Sequence, residues 1–461
     1  MRIRAAARGF GNIEPCTTAV NAVVLWLQAA LSWDNNFKTA ADAAGNQGGS
    51  MSNSGKIIII GGGASGLAAA LAAAKVCGGA RVTVLERLDR VGKKLLATGN
   101  GRCNLTNRNA APEYYHSADM ARLADMLTCT PPDAVLDFFA ELGLLCDTQP
   151  DGRVYPYCYQ ASMVLDILRA ALERAGVDVA CGCEVTTLEK RPGGFTVRTR
   201  DGRAFAAARA ILAAGGQAGP QFGTDGAGFA LARALGHSVA TPYPCLVPLR
   251  CTAFPAGLKG LRVNCALSLY LDGRCVKTEQ GEVQFAEYGL SGIPAMQLSC
   301  LLGPGARGAG ASVDFFPGLA FPALRGLLEQ RCASGMFPTL ETLLLGLVAK
   351  KLGHAVLKGC GLQPLSRASG SLSRGEVNAL TGALKGWRFA VEGTLPWAQA
   401  QVTGGGVPLA EVEAESCASR KCPGLYLSGE VLDAAGDCGG FNLQWAWATG
   451  IAAGQAAAGG L

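Results

Sequence analysis

The chain has 461 residues, 49% hydrophobic and 16% charged, so it can bury a sizeable core and does not have the composition of a disordered chain. The net charge of +6 is modest for this length and no block of basic residues occurs, so the composition predicts no nucleic-acid partner. The 18 cysteines and 3 histidines follow no zinc-site spacing, which predicts no metal site and reduced thiols in a cytoplasmic protein.

The first 54 residues are expected to lie outside the fold. The apolar run from Ala19 to Leu31 is too short to cross a bilayer and is interrupted by Asn21 and Gln28. A polar, glycine-rich stretch follows before the first strand-like segment. No later segment offers a sufficiently long uninterrupted apolar run, so the sequence predicts no membrane span.

The first predicted structural unit is a strand, tight turn, helix and second strand. A β-branched run at Lys56–Ile60 ends in glycines, an alanine-rich helix covers about Leu67–Val76, and a second apolar run covers Arg81–Leu85. This order within about 30 residues is typical of a βαβ unit in a parallel sheet. A further helix is predicted from Ser162 to Gly176, followed by short strands up to residue 216.

A second domain is predicted where prolines 242, 244 and 248 interrupt the chain. Alternating segments at Leu261–Leu271 and Arg274–Phe285 flank Asp272-Gly273, a hairpin signal that favours a small antiparallel sheet or barrel. Leucines at helical spacing then predict a small helical insert. The predicted organisation is an N-terminal extension (1–54), an α/β nucleotide-binding domain in two parts (55–241 and 404–461), a β-barrel-like domain in two parts (242–317 and 362–403) and a helical insert (318–361).

Residues 61–66, GGGASG, satisfy the dinucleotide fingerprint G-x-G-x-x-G in its required context, between a strand and a helix. Gly61 allows the tight turn, Gly63 lets the backbone approach a pyrophosphate, and Gly66 lets helix and strand pack closely. The helix N-terminus supplies unpaired N–H groups and positive potential. Glu86, at the end of the second strand, is predicted to accept hydrogen bonds from ribose hydroxyls.

Two further segments favour FAD over NAD as the nucleotide. The short strand Leu425–Leu427 runs into Gly429-Glu430, as in flavoproteins of the glutathione-reductase type, where the chain returns to contact the flavin. The apolar strand from Ile211 ends in Gly215-Gly216, a second element of such proteins. The sequence therefore predicts a Rossmann-like FAD-binding domain of glutathione-reductase type.

Two long motifs carry a closer resemblance. Residues 92–107 read GKKLLATGNGRCNLTN, and residues 429–446 read GEVLDAAGDCGGFNLQWA. Together with shorter matches at 152–156, 281–285 and 288–292, they make the chain similar to the BaiN/YhiN-type bacterial flavoproteins, a family that includes aminoacetone oxidase-like and bile-acid enone-reducing enzymes. The resemblance implies non-covalent FAD held by a discontinuous domain, with a barrel-like domain and a helical insert.

The predicted cofactor-binding residues combine the fingerprint with these motifs. Lys93 and Arg102 are expected to offset phosphate charge, and Asn100 and Asn104 to hydrogen-bond the flavin edge. A helix beginning near Asn442 is expected to point its positive end at the flavin. The full predicted FAD set is Gly61, Gly63, Ala64, Ser65, Gly66, Glu86, Arg87, Lys93, Thr98, Asn100, Gly101, Arg102, Asn104, Val185, Ala214, Gly215, Gly216, Gly429, Glu430, Asp437, Gly439, Gly440, Asn442 and Leu443.

The expected reaction is reduction of an activated C=C bond in a small organic molecule, as the resemblance to bile-acid enone reduction implies. Gly404-Gly405-Gly406 precedes no helix, so no second nucleotide domain is predicted and NAD(P)H is expected as a transient co-substrate. Tyr155, Arg153 and Tyr288 are the candidate proton donors. The alternatives are an O2-using flavin amine oxidase of aminoacetone oxidase type, a non-catalytic flavin-binding sensor, and RNA modification.

Overall fold

The computed structural model describes residues 55–252, 254–255 and 257–461. The predictions made for residues 1–54 lie outside this range. Within it, no helix is both long and apolar enough to cross a membrane.

The order of helices and strands alternates in the first part of the chain and becomes mostly antiparallel strands in the middle. The helices are α1 (Ala64–Cys77), α2 (Lys93–Leu96), α3 (Met120–Cys129), α4 (Pro132–Glu141), α5 (Ala161–Ala175), α6 (Ala227–Ala234), α7 (Ile293–Ser299), α8 (Phe321–Ala333), α9 (Leu340–Leu343), α10 (Lys350–Gly359), α11 (Arg374–Lys385) and α12 (Phe441–Gly459). The strands are β1 (Ile57–Ile60), β2 (Val82–Leu85), β3 (Thr106–Asn107), β4 (Tyr115–His116), β5 (Cys146–Thr148), β6 (Arg153–Pro156), β7 (Asp178–Ala180), β8 (Val185–Arg191), β9 (Gly194–Thr199), β10 (Ala204–Ala207), β11 (Arg209–Leu212), β12 (Ala240–Cys245), β13 (Leu249–Cys251), β14 (Arg262–Leu271), β15 (Arg274–Ala286), β16 (Gly289–Ser291), β17 (Gly310–Asp314), β18 (Trp387–Thr394), β19 (Val402–Gly406), β20 (Leu425–Leu427) and β21 (Ala435–Gly436).

A five-stranded parallel sheet forms the centre of the first domain, in the order β20-β11-β1-β2-β7. Strand β1 consists of four buried isoleucines, as expected for a strand covered on both faces. The α/β Rossmann-type architecture predicted from the sequence is confirmed. The sheet also joins the two separated parts of the domain, because β20 comes from the C-terminal segment and pairs with β11.

The C-terminal helix α12 packs closely along α1, and small residues make that approach possible. A Cβ at Gly450 would lie 2.3 Å from the Ser65 carbonyl oxygen, and a Cβ at Gly454 would lie 2.2 Å from the Ala69 carbonyl oxygen. The alanine-rich sequence of α1 is buried almost throughout. Helix α12 is therefore held against the helix that carries the glycine-rich loop.

The second domain is a closed barrel with strand order β13-β16-β15-β14-β17-β18. Its long hairpin turns at Asp272-Gly273, where both residues have positive φ (47° and 78°), as a tight two-residue turn requires. Phe285 is fully buried in the barrel core. Strands β12 and β19 pair antiparallel and carry the chain between the domains.

Helices α8 to α11 pack together beside the barrel and share its hydrophobic core. The helical insert was predicted to end at residue 361, with 362–403 in the barrel. Helix α11, Arg374–Lys385, lies inside that second segment and packs against α8. Its capping box, in which Ser373 and Glu376 exchange hydrogen bonds, fixes its start. The helical part therefore continues to the residue before β18.

Candidate functional site

A cavity of about 970 Å³ opens at the carboxyl ends of the parallel strands and extends toward the barrel. We call it the central cavity. Ile60, Leu85 and Ala213 line it where three strands end. Ligands bind at this edge in open α/β sheets, because loops and helix N-termini converge there. Its size suits a large ligand with room for a second molecule.

The glycine-rich loop forms one wall, and its glycines differ in what surrounds them. Gly61 has φ +109° and a Cβ there would lie 2.4 Å from the Ala213 carbonyl oxygen. A Cβ at Gly66 would lie 1.9 Å from the Gly61 carbonyl oxygen, so this position is closed by backbone. A Cβ at Gly63 would meet no atom within 4 Å and would enter the cavity that Gly63 lines. Gly61 and Gly66 thus serve the turn, while Gly63 faces the space for a ligand.

Glu86 lies at the end of β2 with 8% of its surface exposed. Its Oε2 accepts a hydrogen bond from the Gly62 amide and its Oε1 accepts one from the Leu88 amide, both at 2.8 Å. The carboxylate therefore ties the glycine-rich loop to the end of the second strand. It also lines the central cavity, where its remaining lone pairs can accept from ribose hydroxyls.

The loop after α2 has an unusual backbone. Gly99, Asn100, Gly101 and Cys103 all have positive φ, between 54° and 81°. Glycine and asparagine tolerate this conformation best. The loop brings Asn104 into the cavity wall, where its Oδ1 is buried and has no hydrogen-bond partner among the described residues. A buried acceptor of this kind is satisfied when a ligand supplies the donor.

The C-terminal motif approaches the cavity from the opposite side. Gly440 has φ +97° and a Cβ there would lie 2.5 Å from the Thr106 carbonyl oxygen, so only glycine fits before α12. The N-terminus of α12 then lies at the cavity. The Asn442 side chain is hydrogen-bonded within its own loop. Its amide donates to the Gly436 carbonyl at 2.7 Å and its oxygen accepts from the Gly436 amide at 2.8 Å, which fixes the preceding loop.

The lysine and arginine side chains of the cavity wall are mostly paired. Lys93 contacts Asp89 at 2.7 Å, and Lys94 contacts Glu430 at 2.7 Å. Arg87 contacts Asp225 at 2.7 Å, a hydrogen bond that raises the pKa of the guanidinium further. These pairs position the loops and reduce the net positive charge that the cavity presents.

Two of the three candidate proton donors lie at the central cavity. Arg153 and Tyr155 line it from strand β6, and the Tyr155 ring stacks on Tyr159 with ring centroids 5.3 Å apart. The Arg153 Nε donates to Asp151 at 2.7 Å. Tyr288 lies in the turn between β15 and β16 and does not line the cavity.

The cavity brings together most of the predicted cofactor residues, although they come from distant parts of the chain. Four do not line it: at Gly66, Gly216 and Gly429 a Cβ would overlap packed neighbours, whereas Gly101 is exposed with open space at its Cβ. Gly216, for example, would place a Cβ 2.3 Å from the Thr403 hydroxyl oxygen. Lining residues from the predicted set are Gly61, Gly63, Ala64, Ser65, Glu86, Arg87, Lys93, Thr98, Asn100, Arg102, Asn104, Val185, Ala214, Gly215, Glu430, Asp437, Gly439, Gly440, Asn442 and Leu443. Those not lining it are Gly66, Gly101, Gly216 and Gly429.

Sequence reasoning missed the barrel side of the cavity. Leu246, Ile293, Met296 and Val402 line it there and form an apolar wall. They lie in the crossover segments and at the start of α7, and no local motif marks them. Burial raises the pKa of the adjacent Cys438 thiol to about 12, so this thiol is neutral.

The site fits FAD. The open space at Gly63 suits a pyrophosphate, Glu86 suits the ribose, and the unpartnered Asn104 oxygen and the α12 N-terminus suit the flavin ring. Fold and site together define an FAD-dependent oxidoreductase with a glutathione-reductase-type nucleotide domain and an inserted barrel. Within that class, the chain belongs to the HI0933-like protein Rossmann domain family, whose model matches residues 55–456.

The chain is similar to relatives with two different activities. The chain is 39% identical over 407 residues to the 3-dehydro-bile acid delta(4,6)-reductase of Clostridium scindens, covering 87% of this chain and 99% of the relative. It is 28% identical over 409 residues to the ribosomal RNA dihydrouridine synthase of Haemophilus influenzae, covering 87% and 98%. Among solved structures, a flavocytochrome c3 fumarate reductase in its open conformation matches with TM-score 0.45 and 16% identity, covering 93% of this chain and 82% of that chain.

Proposed function

We propose that the protein reduces a C=C bond conjugated to a carbonyl in a small, largely apolar molecule of the unsaturated 3-oxo bile acid class, with NAD(P)H as electron donor. The observation that carries this proposal is the 39% identity to a bile-acid delta(4,6)-reductase over 99% of that enzyme's length. FAD supplies two-electron reduction when it is bound.

The barrel side of the central cavity supports an apolar substrate. Leu246, Met296 and Val402 present hydrocarbon and thioether surface, and Ile293, which is half exposed, extends this surface toward the outside. Burying apolar area contributes roughly 25 cal/mol per Å², so a rigid polycyclic molecule gains affinity here without much loss of conformational entropy. This wall faces the flavin-binding motifs across the cavity.

Tyr155 is the best-placed group to hold the proton that the reduced carbon needs. Its ring lies in the cavity wall and is oriented by stacking on Tyr159. Arg153 lies two residues away on the same strand, so its side chain is on the same face as Tyr155. A cation beside the hydroxyl stabilises the phenolate that remains after the proton has been given up.

The electron donor is proposed to enter and leave through the same cavity. Gly404-Gly405-Gly406 lies inside strand β19 and starts no helix, so it offers no phosphate-binding terminus. A nicotinamide therefore has to occupy the space that the substrate uses later. This arrangement predicts ping-pong kinetics, with oxidised nicotinamide released before the enone binds.

RNA dihydrouridylation is the second candidate, because two ribosomal RNA dihydrouridine synthases are 28% and 29% identical to the chain. The chemistry is related, since the uracil C5=C6 bond is also conjugated to a carbonyl. The pairing of Lys93, Lys94 and Arg87 with carboxylates argues for the small molecule, because RNA binding draws on unpaired cations.

The test separates the two half-reactions. Flavin bleaching is followed by stopped-flow absorbance on anaerobic mixing with NADH or NADPH, and the reduced enzyme is then mixed with a 3-oxo-4,6-diene bile acid or with a ribosomal RNA transcript. Fast bleaching followed by reoxidation with the bile acid, and a product carrying two more hydrogens, supports the proposal. Reoxidation by RNA alone would favour the second candidate. If neither nicotinamide bleaches the flavin, while small amines bleach it rapidly and peroxide forms in air, both candidate functions are refuted.

Tyr155→Phe provides the residue-level test. We expect bleaching by the nicotinamide to be unchanged and reoxidation by the enone to slow by roughly 10²- to 10⁴-fold, the usual contribution of a positioned acid. Tyr157→Phe is the matched control, because Tyr157 is two residues away, 66% exposed and outside the cavity. Equal reoxidation rates in the two variants would exclude Tyr155 as the proton donor.

A further inference from the structure

A cluster of potential metal ligands lies at the edge of the central cavity, and one of its three members, Asp437, belongs to the C-terminal flavin-binding motif. His116, Cys300 and Asp437 each direct one donor atom into a common space, and these atoms all lie within 4.8 Å of one another. The His116 Nε2 is 2.9 Å from the Asp437 Oδ1. Cys300 and Asp437 are buried, and His116 is nearly so. A buried set of one imidazole, one thiol and one carboxylate is uncommon as a product of ordinary core packing.

The three residues come from three separate parts of the fold. His116 is the last residue of β4, which pairs with β21 so that Asp437 follows directly on the neighbouring strand. Cys300 is the residue after α7, a helix that packs on the barrel hairpin. Its backbone is held by the Tyr243 hydroxyl, which donates to the Cys300 carbonyl at 3.2 Å. The cluster therefore joins the flavin-binding domain to the barrel.

We propose that His116, Cys300 and Asp437 bind a divalent cation of the zinc class. Thiolate, imidazole and carboxylate are the ligand types that zinc prefers, and hard cations such as Mg²⁺ avoid thiolates. In a tetrahedral zinc site with metal–ligand distances of about 2.0–2.3 Å, the donors lie roughly 3.3–3.6 Å apart. The three donor atoms lie within 4.8 Å of one another, and side-chain rotation would have to bring them into that range.

A fourth ligand is available beside the cluster. Cys245, the last residue of β12, is fully buried and packs in the same small buried cluster as Cys300. Either this thiol or a water molecule completes four-fold coordination. The two thiols are not joined in the structure, where both are free cysteines.

The surrounding charges are compatible with a metal. Lys277 is the nearby cation, with its Nζ 3.4 Å from the Asp437 Oδ2 and 2.8 Å from Glu279. Because Glu279 is the closer partner, Lys277 can remain paired when Asp437 turns to a metal. With two thiolates and one carboxylate around a dication, the site carries one net negative charge, which Lys277 offsets.

The metal would act as a clamp on the flavin site. Asp437 and Cys438 line the central cavity from the loop that leads into α12. Fixing Asp437 to Cys300 would hold that loop, and the positive end of α12 behind it, at a set distance from the barrel wall. The inference does not depend on the proposed reaction.

The test measures metal in the flavin-loaded full-length protein. Protein purified without a metal-binding tag is analysed for zinc by mass spectrometry, treated with a chelator and then titrated with Co²⁺. We expect about one metal per chain and the intense long-wavelength d–d bands of tetrahedral Co²⁺, which lie beyond the absorbance of oxidised flavin. Cys300→Ser should weaken Co²⁺ binding by more than about 100-fold, since changes outside the ligand set alone cost 10–100-fold. Cys275→Ser, which removes an exposed thiol of the barrel hairpin, should bind as the wild type does.

Three outcomes would overturn the proposal. One is purified protein without zinc that also gives no tetrahedral Co²⁺ spectrum. Another is equal Co²⁺ binding by the Cys300→Ser and wild-type proteins. The third is a Cys245–Cys300 disulfide in the purified protein, found by peptide mapping without reduction, combined with no metal uptake after reduction. If Cys300→Ser does not retain flavin, the proposal is tested by the zinc content and the Co²⁺ spectrum of the wild-type protein alone.

Discussion

Gly63 and Gly66 provide a matched pair that separates ligand contact from folding. An alanine at either position adds one methyl group to the same loop. At Gly63 that methyl enters the open space of the cavity, and at Gly66 it would overlap the Gly61 carbonyl oxygen at 1.9 Å. Gly63→Ala should therefore fold, and Gly66→Ala should not fold normally.

The expected magnitudes follow from these surroundings. Gly63 has φ −83°, which alanine adopts, so the free energy of unfolding of the flavin-free protein should change by no more than about 1 kcal/mol. The methyl occupies the space assigned to the pyrophosphate, and overpacking of this kind costs about 1–3 kcal/mol. The Kd for FAD should rise roughly 5- to 150-fold. For Gly66→Ala the overlap is with backbone, so stability should fall by about 3 kcal/mol or more.

The assay combines FAD titration of deflavinated protein, followed by flavin fluorescence quenching, with thermal unfolding of the flavin-free protein. Gly382→Ala serves as the control, because Gly382 is an exposed position of α11 where a Cβ meets no atom within 4 Å. An unchanged Kd for Gly63→Ala would refute the assignment of this space to the cofactor. A normally stable Gly66→Ala protein would refute the packing argument.

Three other predictions concern the supports of the site. Asn442→Ala should lower FAD affinity about 10-fold, because its amide orders the loop before α12 at a cost of about 1–3 kcal/mol when lost; FAD titration measures this. Burial lowers the pKa of His237, so the stability that the neutral imidazole contributes is present above its unfolded pKa of about 6.5 and is lost as the pH falls. The difference in unfolding free energy between the wild type and His237→Gln, measured by urea unfolding, should therefore shrink from pH 7.5 to pH 5.5. Gly454→Ala should destabilise the protein by about 1–3 kcal/mol, because the added Cβ would lie 2.2 Å from the Ala69 carbonyl oxygen of α1. Gly459→Ala, which has open space at its Cβ, should be neutral or slightly stabilising.

Each of these has a result that would contradict it. Unchanged flavin affinity in Asn442→Ala would mean that the loop orders without the amide. A stability difference for His237→Gln that does not vary with pH would mean that His237 keeps its ordinary pKa in the folded protein. Equal stability of the Gly454 and Gly459 variants would show that α12 and α1 separate at no cost.

The local sequence was sufficient to predict the glycine-rich loop and the strand ends of the nucleotide-binding domain. The fingerprint at 61–66, Glu86 and the return at Gly429-Glu430 are set by short-range requirements, namely positive φ, close backbone approach and strand ends. The hairpin at Asp272-Gly273 was predictable for the same reason. Such requirements restrict residue type at each position, and the restriction is visible in the sequence.

Tertiary structure alone decided which side chains reach the cavity. Asn442 lines the cavity at the start of α12, but its side-chain amide bonds the preceding loop, and Tyr288 lies in a barrel turn away from the cavity. The apolar wall at Met296 and the meeting of His116 with Cys300 had no local signal, because these contacts form between domains. A contact between residues far apart in the chain imposes no periodicity or turn chemistry on either segment, so only the packed structure reveals it.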